Sequence, residues 1–539
     1  MSAVGAVLGS PSIRRLVLAS AICTAAELAA FVALSVYAYR VGGAGLLGAL
    51  GAARMLTGAV LVPLVTSLAD RMRREHLLVA TVAPRMLLMA AITALLSVGA
   101  PAWLVVLLAA LGSGLHGVFR PLQAAMLPWL ARDPEQLTAA NGVIGIAEGS
   151  AVLLGPAIAA GVLALDDVAA VVAVATALLV VGLGTMLGVH ALAGTIPHGQ
   201  ARRRPVHEWL QGLTALAADV GSRAVVGPVL AQVFARGVLN VLTVPIAVHL
   251  FDLGESGVGW LGAAMGLGGL VGGPAALTFV RGRRLGWLSG LAVLCWGLPL
   301  VALGLVHAPV AAYALFAAIG VANVVLDMSA FTALQRTAPP RLLGRALGAF
   351  EFLIMAASAL GSAVAPVVLG LVGPRPTLVL AGLLLVVVSA LAMPWLVGLG
   401  RRLDVPGADV ALLRAVPFLD ALPVGTIEHL AAQLGEEAYD AEATVLRQGA
   451  AGDHFFLIAE GSATATVDGQ PMRRMASGEF FGEIALLRDV PRTASVVADE
   501  PLRVRTLART EFLCAVTGNP DSARAVGAVA ADRLATGEC

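Results

Sequence analysis

Long apolar runs fill the first three quarters of the chain and stop near residue 400, where short alternating segments take over. A membrane-crossing helix needs about 20 mainly apolar residues. Twelve stretches reach that length, at about 16–39, 45–68, 77–99, 102–130, 138–163, 168–192, 224–250, 257–280, 285–305, 309–334, 345–372 and 376–398. The loop 193–223 divides them six and six, into halves of about 12–192 and 224–398. The halves echo each other. Leu-Ala-Arg-Asp-Pro-Glu-Gln-Leu (130–137) precedes a run with Gly155-Pro156, and Thr-Ala-Pro-Pro-Arg-Leu-Leu (337–343) precedes one with Ala365-Pro366. After 404 the period changes. Helical text from Asp409 to Leu434 leads into β-like runs at Thr444–Arg447, Phe455–Ala459, Ala463–Val467 and Thr493–Val497, with Gly449, Gly452, Gly461 and Gly478 at turns. The pattern predicts an all-α membrane domain over 1–403, with 12 transmembrane helices in two six-helix halves, and a C-terminal α+β domain, a β-roll flanked by helices, over 404–539.

Composition agrees with the membrane class: 58% of the 539 residues are hydrophobic and 13% charged. All 35 basic residues are arginine, and they are unevenly placed. Residues 1–403 hold 24 Arg against 14 acidic residues, whereas 404–539 hold 11 Arg against 20. No basic patch with interleaved aromatics is present, which speaks against a nucleic-acid partner. Eighteen arginines fall at one set of helix ends (14–15, 71–74, 132, 202–204, 223, 281–284, 336–345 and 401–402), and only Arg40 and Arg375 at the other. The positive-inside rule then places both termini in the cytoplasm. The first apolar run is too long for a cleavable signal peptide. Cys23, Cys295, Cys514 and Cys539 form no CxxC pair, and His116, His190 and His249 have no metal-ligand spacing. No catalytic constellation is recognisable, so the chain reads as a non-enzyme without a metal.

Leu68-Ala-Asp-Arg-Met-Arg-Arg74, after the second apolar run, resembles the loop signature of the major facilitator superfamily, with Thr66 where that family has its leading glycine. The resemblance implies two pseudo-symmetric bundles around a central cavity and a cytoplasmic gate latched by Asp70, supported by Arg71 and Arg74. A carboxylate at a helix N-terminus is stabilised by the helix dipole. Gly149, Gly155, Pro156 and Gly161 resemble the glycine-proline motif of efflux members, and Phe119–Pro128 with Asn141 is similar to the macrolide-efflux and siderophore-exporter branch. Gly262, Gly266, Gly269 and Gly273 lack the strand and the GK[ST] of a phosphate loop and read as packing glycines.

Ionisable groups inside a membrane cost about 2.5–3.5 kcal/mol each and mark function by default. Candidates are Glu27, Arg54, Arg85, Arg120, Glu148, Arg236, Asp327 and Glu351. Glu27 and Arg236 lie at mid-depth on symmetry-related helices of the implied fold, and a Glu27–Arg236 pair is the leading expectation for the transport site. Arg236 and Asn240 share a helix face, as do Asn323 and Asp327. Glu148 is a second candidate proton carrier, Glu351 a gate residue, and Arg54 and Arg85 are expected to snorkel towards the interfaces.

Phe481–Val496, Phe-Gly-Glu-Ile-Ala-Leu-Leu-Arg-Asp-Val-Pro-Arg-Thr-Ala-Ser-Val, resembles the phosphate-binding cassette of cyclic-nucleotide-binding domains. That resemblance implies roles for Gly482 (close backbone approach), Glu483 (ribose hydroxyl), Ile484 and Ala485 (amides facing the phosphate), Arg492 (the cyclic phosphate), Thr493 and Ala494. The implied regulatory ligand is cAMP, with cGMP as the alternative that the Thr493 hydroxyl leaves open. Together the resemblances imply a multi-pass protein of a bacterial cytoplasmic (inner) membrane. It would be a secondary transporter exporting an unknown small molecule in exchange for a proton or cation, tuned by a cyclic nucleotide. Movement of lipid or lysophospholipid, and a non-transporting cAMP-sensing receptor, are the alternatives. A nucleotide-gated channel lacks its TVGYG-like filter here.

Overall fold

The computed structural model describes residues 9–69, 74–130, 134–165, 167–187, 211–214, 216–217, 220–280, 285–337, 343–402, 407–420, 422, 424–517, 522 and 524–529. The chain divides into two compact units, residues 1–334 with 341–399, and residues 335–340 with 400–539.

The first unit is helical. Its helices include α1 (Pro11–Ala69), α2 (Arg74–Ser97), α3 (Ala102–Leu130), α4 (Pro134–Leu163), α5 (Val168–Met186), α6 (Val220–Pro245), α7 (Ser256–Val280), α8 (Leu285–Leu305), α9 (Pro309–Thr337), α10 (Leu343–Val372) and α11 (Pro374–Arg402). Among the described residues ten helices are long and apolar enough to cross a membrane. They lie within α1 to α6 and α8 to α11, and α7 is a further apolar helix. The first two apolar runs of the sequence both fall inside α1. The break between them is carried by Gly42 (φ −136°, ψ 18°) and Gly43 (φ 59°, ψ −157°). The Gly43 conformation is almost restricted to glycine. Gly43→Ala should therefore lower the stability of the purified protein by about 1–3 kcal/mol, read as an earlier thermal unfolding midpoint in detergent. A midpoint equal to wild type would show that this turn relaxes without strain.

Helices approach closely where side chains vanish. A Cβ on Gly155 would meet the Ala25 carbonyl at 2.7 Å, which packs α4 on the first arm of α1. Gly259 and Gly266 of α7 lie on the α4 backbone at Pro156 and Val152, and Gly237 of α6 lies on the α10 carbonyl of Ser358. Gly262 and Gly266 thus pack as expected, whereas Gly273 has open space beside it. At one end of the unit, Arg40 at the end of the first arm is ion-paired with Glu255 just before α7. Beside it, His249 Nε2 lies 3.1 Å from the Tyr39 hydroxyl. His249 sits in the π-helical turn Ile246–Leu250 that ends α6.

The second unit opens with short helices α12 (Gly407–Arg414), α13 (Pro417–Asp420) and α14 (Val424–Ala432). Eight strands follow: β1 (Gly435–Tyr439), β2 (Thr444–Leu446), β3 (His454–Glu460), β4 (Ser462–Val467), β5 (Gln470–Ala476), β6 (Phe480–Phe481), β7 (Ser495–Ala498) and β8 (Leu502–Ala508). Helix α15 (Glu483–Arg488) interrupts them, and α16 (Arg509–Thr517) follows β8. The strands form two antiparallel four-stranded sheets, β1-β8-β3-β6 and β2-β7-β4-β5. Alternation explains the roll: Phe456, Ile458, Ala463, Ala465, Val496, Ala498 and Val504 point into one buried cluster between the sheets. A second cluster, built on Phe418, Phe455, Phe480 and Phe512, welds the helices to the roll. In it the Phe455 and Phe512 rings stack with centroids 4.7 Å apart. Strands β1, β5, β6 and β8 lie outside the β-like runs of the sequence; β1 and most of β5 are exposed, and β6 is only two residues long.

Candidate functional site

In the roll, β6 ends at Gly482, whose φ of 87° turns the chain into α15. A Cβ there would lie 2.6 Å from Arg492 Nη1, so both conformation and space call for glycine. After α15 a second left-handed residue, Asp489 (φ 55°), turns the chain back, and Arg492 returns beneath Gly482. Its guanidinium donates from Nη1 to the Gly482 carbonyl at 2.9 Å and from Nη2 to the His454 carbonyl at 2.8 Å. Its backbone is tied to the β2–β3 loop by Arg492 N–H to Ala450 O and Gly449 N–H to Arg492 O, each 2.8 Å. The Phe456 ring lies under the guanidinium, 5.7 Å away.

Arg492 is 4% exposed and Glu483 1%. The Arg492 Nε is buried with no hydrogen-bond partner among the described residues. Burial pulls the guanidinium below its ordinary range, while the Asp453 and Glu483 carboxylates favour its charge. Asp453 is itself held below the usual carboxylate range, first by its hydrogen bond with His454. Gly482, Glu483, Ile484, Ala485, Arg492, Thr493 and Ala494 all line one pocket. Arg473 of β5 also lines it and is ion-paired with Glu479. The sequence carried no signal for Arg473, because β5 is a polar hairpin strand outside the cassette. A buried, doubly anchored guanidinium with an unused N–H, beside a buried carboxylate, can hold an anion and a neighbouring hydroxyl.

The membrane unit departs from expectation. Glu27 does not pair with Arg236. Its Oε1 accepts from Arg54 Nη2 at 2.6 Å and from the Ser113 hydroxyl at 2.7 Å, and its Oε2 accepts from Arg85 Nη2 at 2.8 Å. Arg54 Nε donates to the same Ser113 oxygen at 2.7 Å, and its guanidinium lies over Phe31. Arg54 and Arg85 therefore do not snorkel: they are 9% and 1% exposed. Helix packing buries both guanidiniums beside the Glu27 carboxylate, where leaving any one of these charges uncompensated would cost about 3–5 kcal/mol. Arg236 is exposed instead, next to Gly237, whose packing on α10 sets the buried face of α6.

The other predicted transport residues gather around a different centre. Asn323 donates to Asp327 at 2.9 Å, and Gln232 lies 3.4 Å from Asn323. Arg236 and Arg120 are within electrostatic reach of Asp327, and Arg120 and Asp327 within reach of Glu351. Arg120 also approaches Glu148 at 3.9 Å, and Glu148 accepts from the Ser20 hydroxyl at 2.7 Å. This constellation draws on α3, α4, α6, α9 and α10, helices from either side of the segment 193–223. Asn240 is partly exposed on α6 one turn beyond Arg236. Asp70 and Arg71 lie outside the described residues, and Arg74 opens α2 with its side chain outside the described set.

Comparison with known proteins gives two matched regions. The Major Facilitator Superfamily profile matches residues 16–362, and the Cyclic nucleotide-binding domain profile residues 436–517. Over 105 residues the chain is 41% identical to a cAMP-dependent protein kinase regulatory subunit of Aspergillus fumigatus, which covers 19% of this chain and 25% of that protein. The corresponding subunit of Colletotrichum orbiculare is 37% identical over 102 residues, covering 19% and 26%. A solved structure of the regulatory domain of Toxoplasma gondii PKA with cAMP is 27% identical, with a TM-score of 0.23, covering 26% of this chain and 55% of that one. The chain spans about a quarter of the length of these curated relatives. Since the larger profile covers well over half of its 539 residues, the chain belongs to the Major Facilitator Superfamily, with a cyclic nucleotide-binding domain at 436–517.

Proposed function

We propose that the protein is a secondary transporter of the inner membrane that exports a small molecule in exchange for protons and is tuned by cAMP at its cytoplasmic roll. Twelve spans follow when α1 is divided at Gly42–Gly43 and α7 is added to the ten helices of membrane length. The arginine asymmetry of the sequence orients both termini to the cytoplasm. The Arg40–Glu255 and Tyr39–His249 contacts then lie on the far side of the membrane, closing that mouth. Asp70 with Arg71 and Arg74, and Glu351, belong to the opposite, cytoplasmic gate.

The observation that carries the regulatory half is Arg492, buried and anchored with its Nε unused, in a pocket shared with Glu483. A cyclic phosphate supplies the missing acceptor, and the ribose hydroxyl a donor to the carboxylate. That the curated relatives are cAMP-dependent kinase subunits favours cAMP over cGMP. For the transport half, the constellation of Arg120, Glu148, Arg236, Asp327 and Glu351 supports proton coupling, because its carboxylates have competing cationic neighbours from both halves. Those contacts change when the halves rock.

Full-length protein in liposomes carrying a pH-sensitive dye tests this reading. Addition of a transported solute, found by screening, should release an imposed proton gradient. Cyclic AMP inside the orientation-matched compartment should shift the half-saturating solute concentration about fivefold or more. Solute-driven flux that ignores cAMP, while calorimetry shows cAMP bound, would remove the regulatory claim and leave the transporter.

A further inference from the structure

The buried network at Glu27 is short of negative charge. One carboxylate faces two guanidiniums, Arg54 and Arg85. Arg85 is 1% exposed, yet its Nε and Nη1 have no hydrogen-bond partner among the described residues. Its Nη2 alone is engaged, with Glu27 and, at 3.3 Å, the Cys23 carbonyl. Beside it, His116 Nδ1 is also buried without a partner. A fixed cation and unpaired buried N–H groups are costly in a medium that supplies no water. Arg54 is better served, with Ser113, Glu27 and the Phe31 face around it. The deficit is therefore local to Arg85 and His116. Ser113, His116 and Phe31 at the edge of the network are each partly exposed.

We propose that Arg85, with Arg54 and His116, receives an anionic group, a carboxylate or phosphate, of the molecule that the protein moves. This rests on the transporter reading above and narrows its substrate to anions and zwitterions. The incoming oxygens accept from Arg85 Nε and Nη1, and Glu27 holds both guanidiniums in place when the site is vacant. Cationic solutes, for which an unpaired carboxylate would be needed, are disfavoured because Glu27 is already doubly engaged. Because the shared chemistry is an anionic headgroup or a soluble anion, the two sources are separated by experiment.

The test uses the full chain carrying Arg492→Ala, so that phosphate has no second buried arginine to occupy. In maltoside micelles, which carry no phosphate, inorganic phosphate should raise the thermal unfolding midpoint saturably. In a second set, the same micelles doped with phosphatidylglycerol should raise the midpoint without added phosphate and blunt any further rise. Either response supports the site, and the set that responds names the source. Arg85→Gln leaves the neutral Glu27–Arg54 pair and should remain monodisperse, but lose about tenfold or more in the response. Arg85→Lys should retain part of it, and Arg54→Gln serves if Arg85→Gln does not purify. No response to either anion, or one unchanged in Arg85→Gln and Arg54→Gln, overturns the proposal. Solute-driven proton flux surviving that result, with a cationic solute, would leave the transporter reading intact.

Discussion

Arg492→Ala loses cAMP affinity by about thirtyfold to several thousandfold, the equivalent of roughly 2–5 kcal/mol for truncating one member of a buried charged contact. The size follows from burial. The guanidinium is 4% exposed, and the ligand's phosphate, once inside, has no water to replace it. The same substitution frees the Gly482 and His454 carbonyls that the side chain now holds, so the cassette loosens as well as losing its charge. Arg492→Lys separates these effects: a point charge remains, but the fork that reaches two carbonyls and a ligand together does not. Its affinity should lie between those of wild type and Arg492→Ala. Calorimetry with cAMP on the full chain measures all three, and thermal unfolding in detergent checks that the helical unit is untouched. Arg492→Ala binding as tightly as wild type would place the nucleotide elsewhere.

Glu27→Ala is the most damaging single change expected in the membrane unit. It leaves Arg54 and Arg85 facing each other without a counter-ion, and removing one partner of a buried ion pair costs about 3–5 kcal/mol. Ser113 loses its acceptor in the same step. Poor recovery, or a sharply earlier unfolding midpoint by tryptophan fluorescence, is the expected result. Arg85→Gln should be far milder, since one carboxylate and one guanidinium then balance. If the two variants unfold alike, charge balance is not what holds this network together. Asp327 is built differently from Glu27: it accepts from Asn323, with Arg236 and Arg120 within electrostatic reach but not hydrogen-bonded to it among the described residues.

The roll site was largely legible in the sequence because its parts lie within sixteen consecutive residues, Phe481 to Val496. A contiguous turn–helix–return fixes its own geometry: Gly482 and Asp489 supply two left-handed corners, and the chain between them is too short to go elsewhere. Remote contributors were not legible. Arg473 reaches the pocket from β5, and His454 holds Arg492 from β3, through strand pairings that no local pattern announces.

For the membrane unit, run length determined that the chain is helical and apolar. Those properties depend only on the cost of leaving backbone groups or charge in hydrocarbon, which each segment meets by itself. Partner choice was decided by tertiary structure alone. A helix that is apolar all round, towards lipid and neighbours alike, carries no stripe that reveals its rotation. Glu27 therefore found Arg54 and Arg85, 27 and 58 residues away, because α1, α2 and α3 turn those faces inward together. Arg236, on α6, is instead exposed, within electrostatic reach of Asp327.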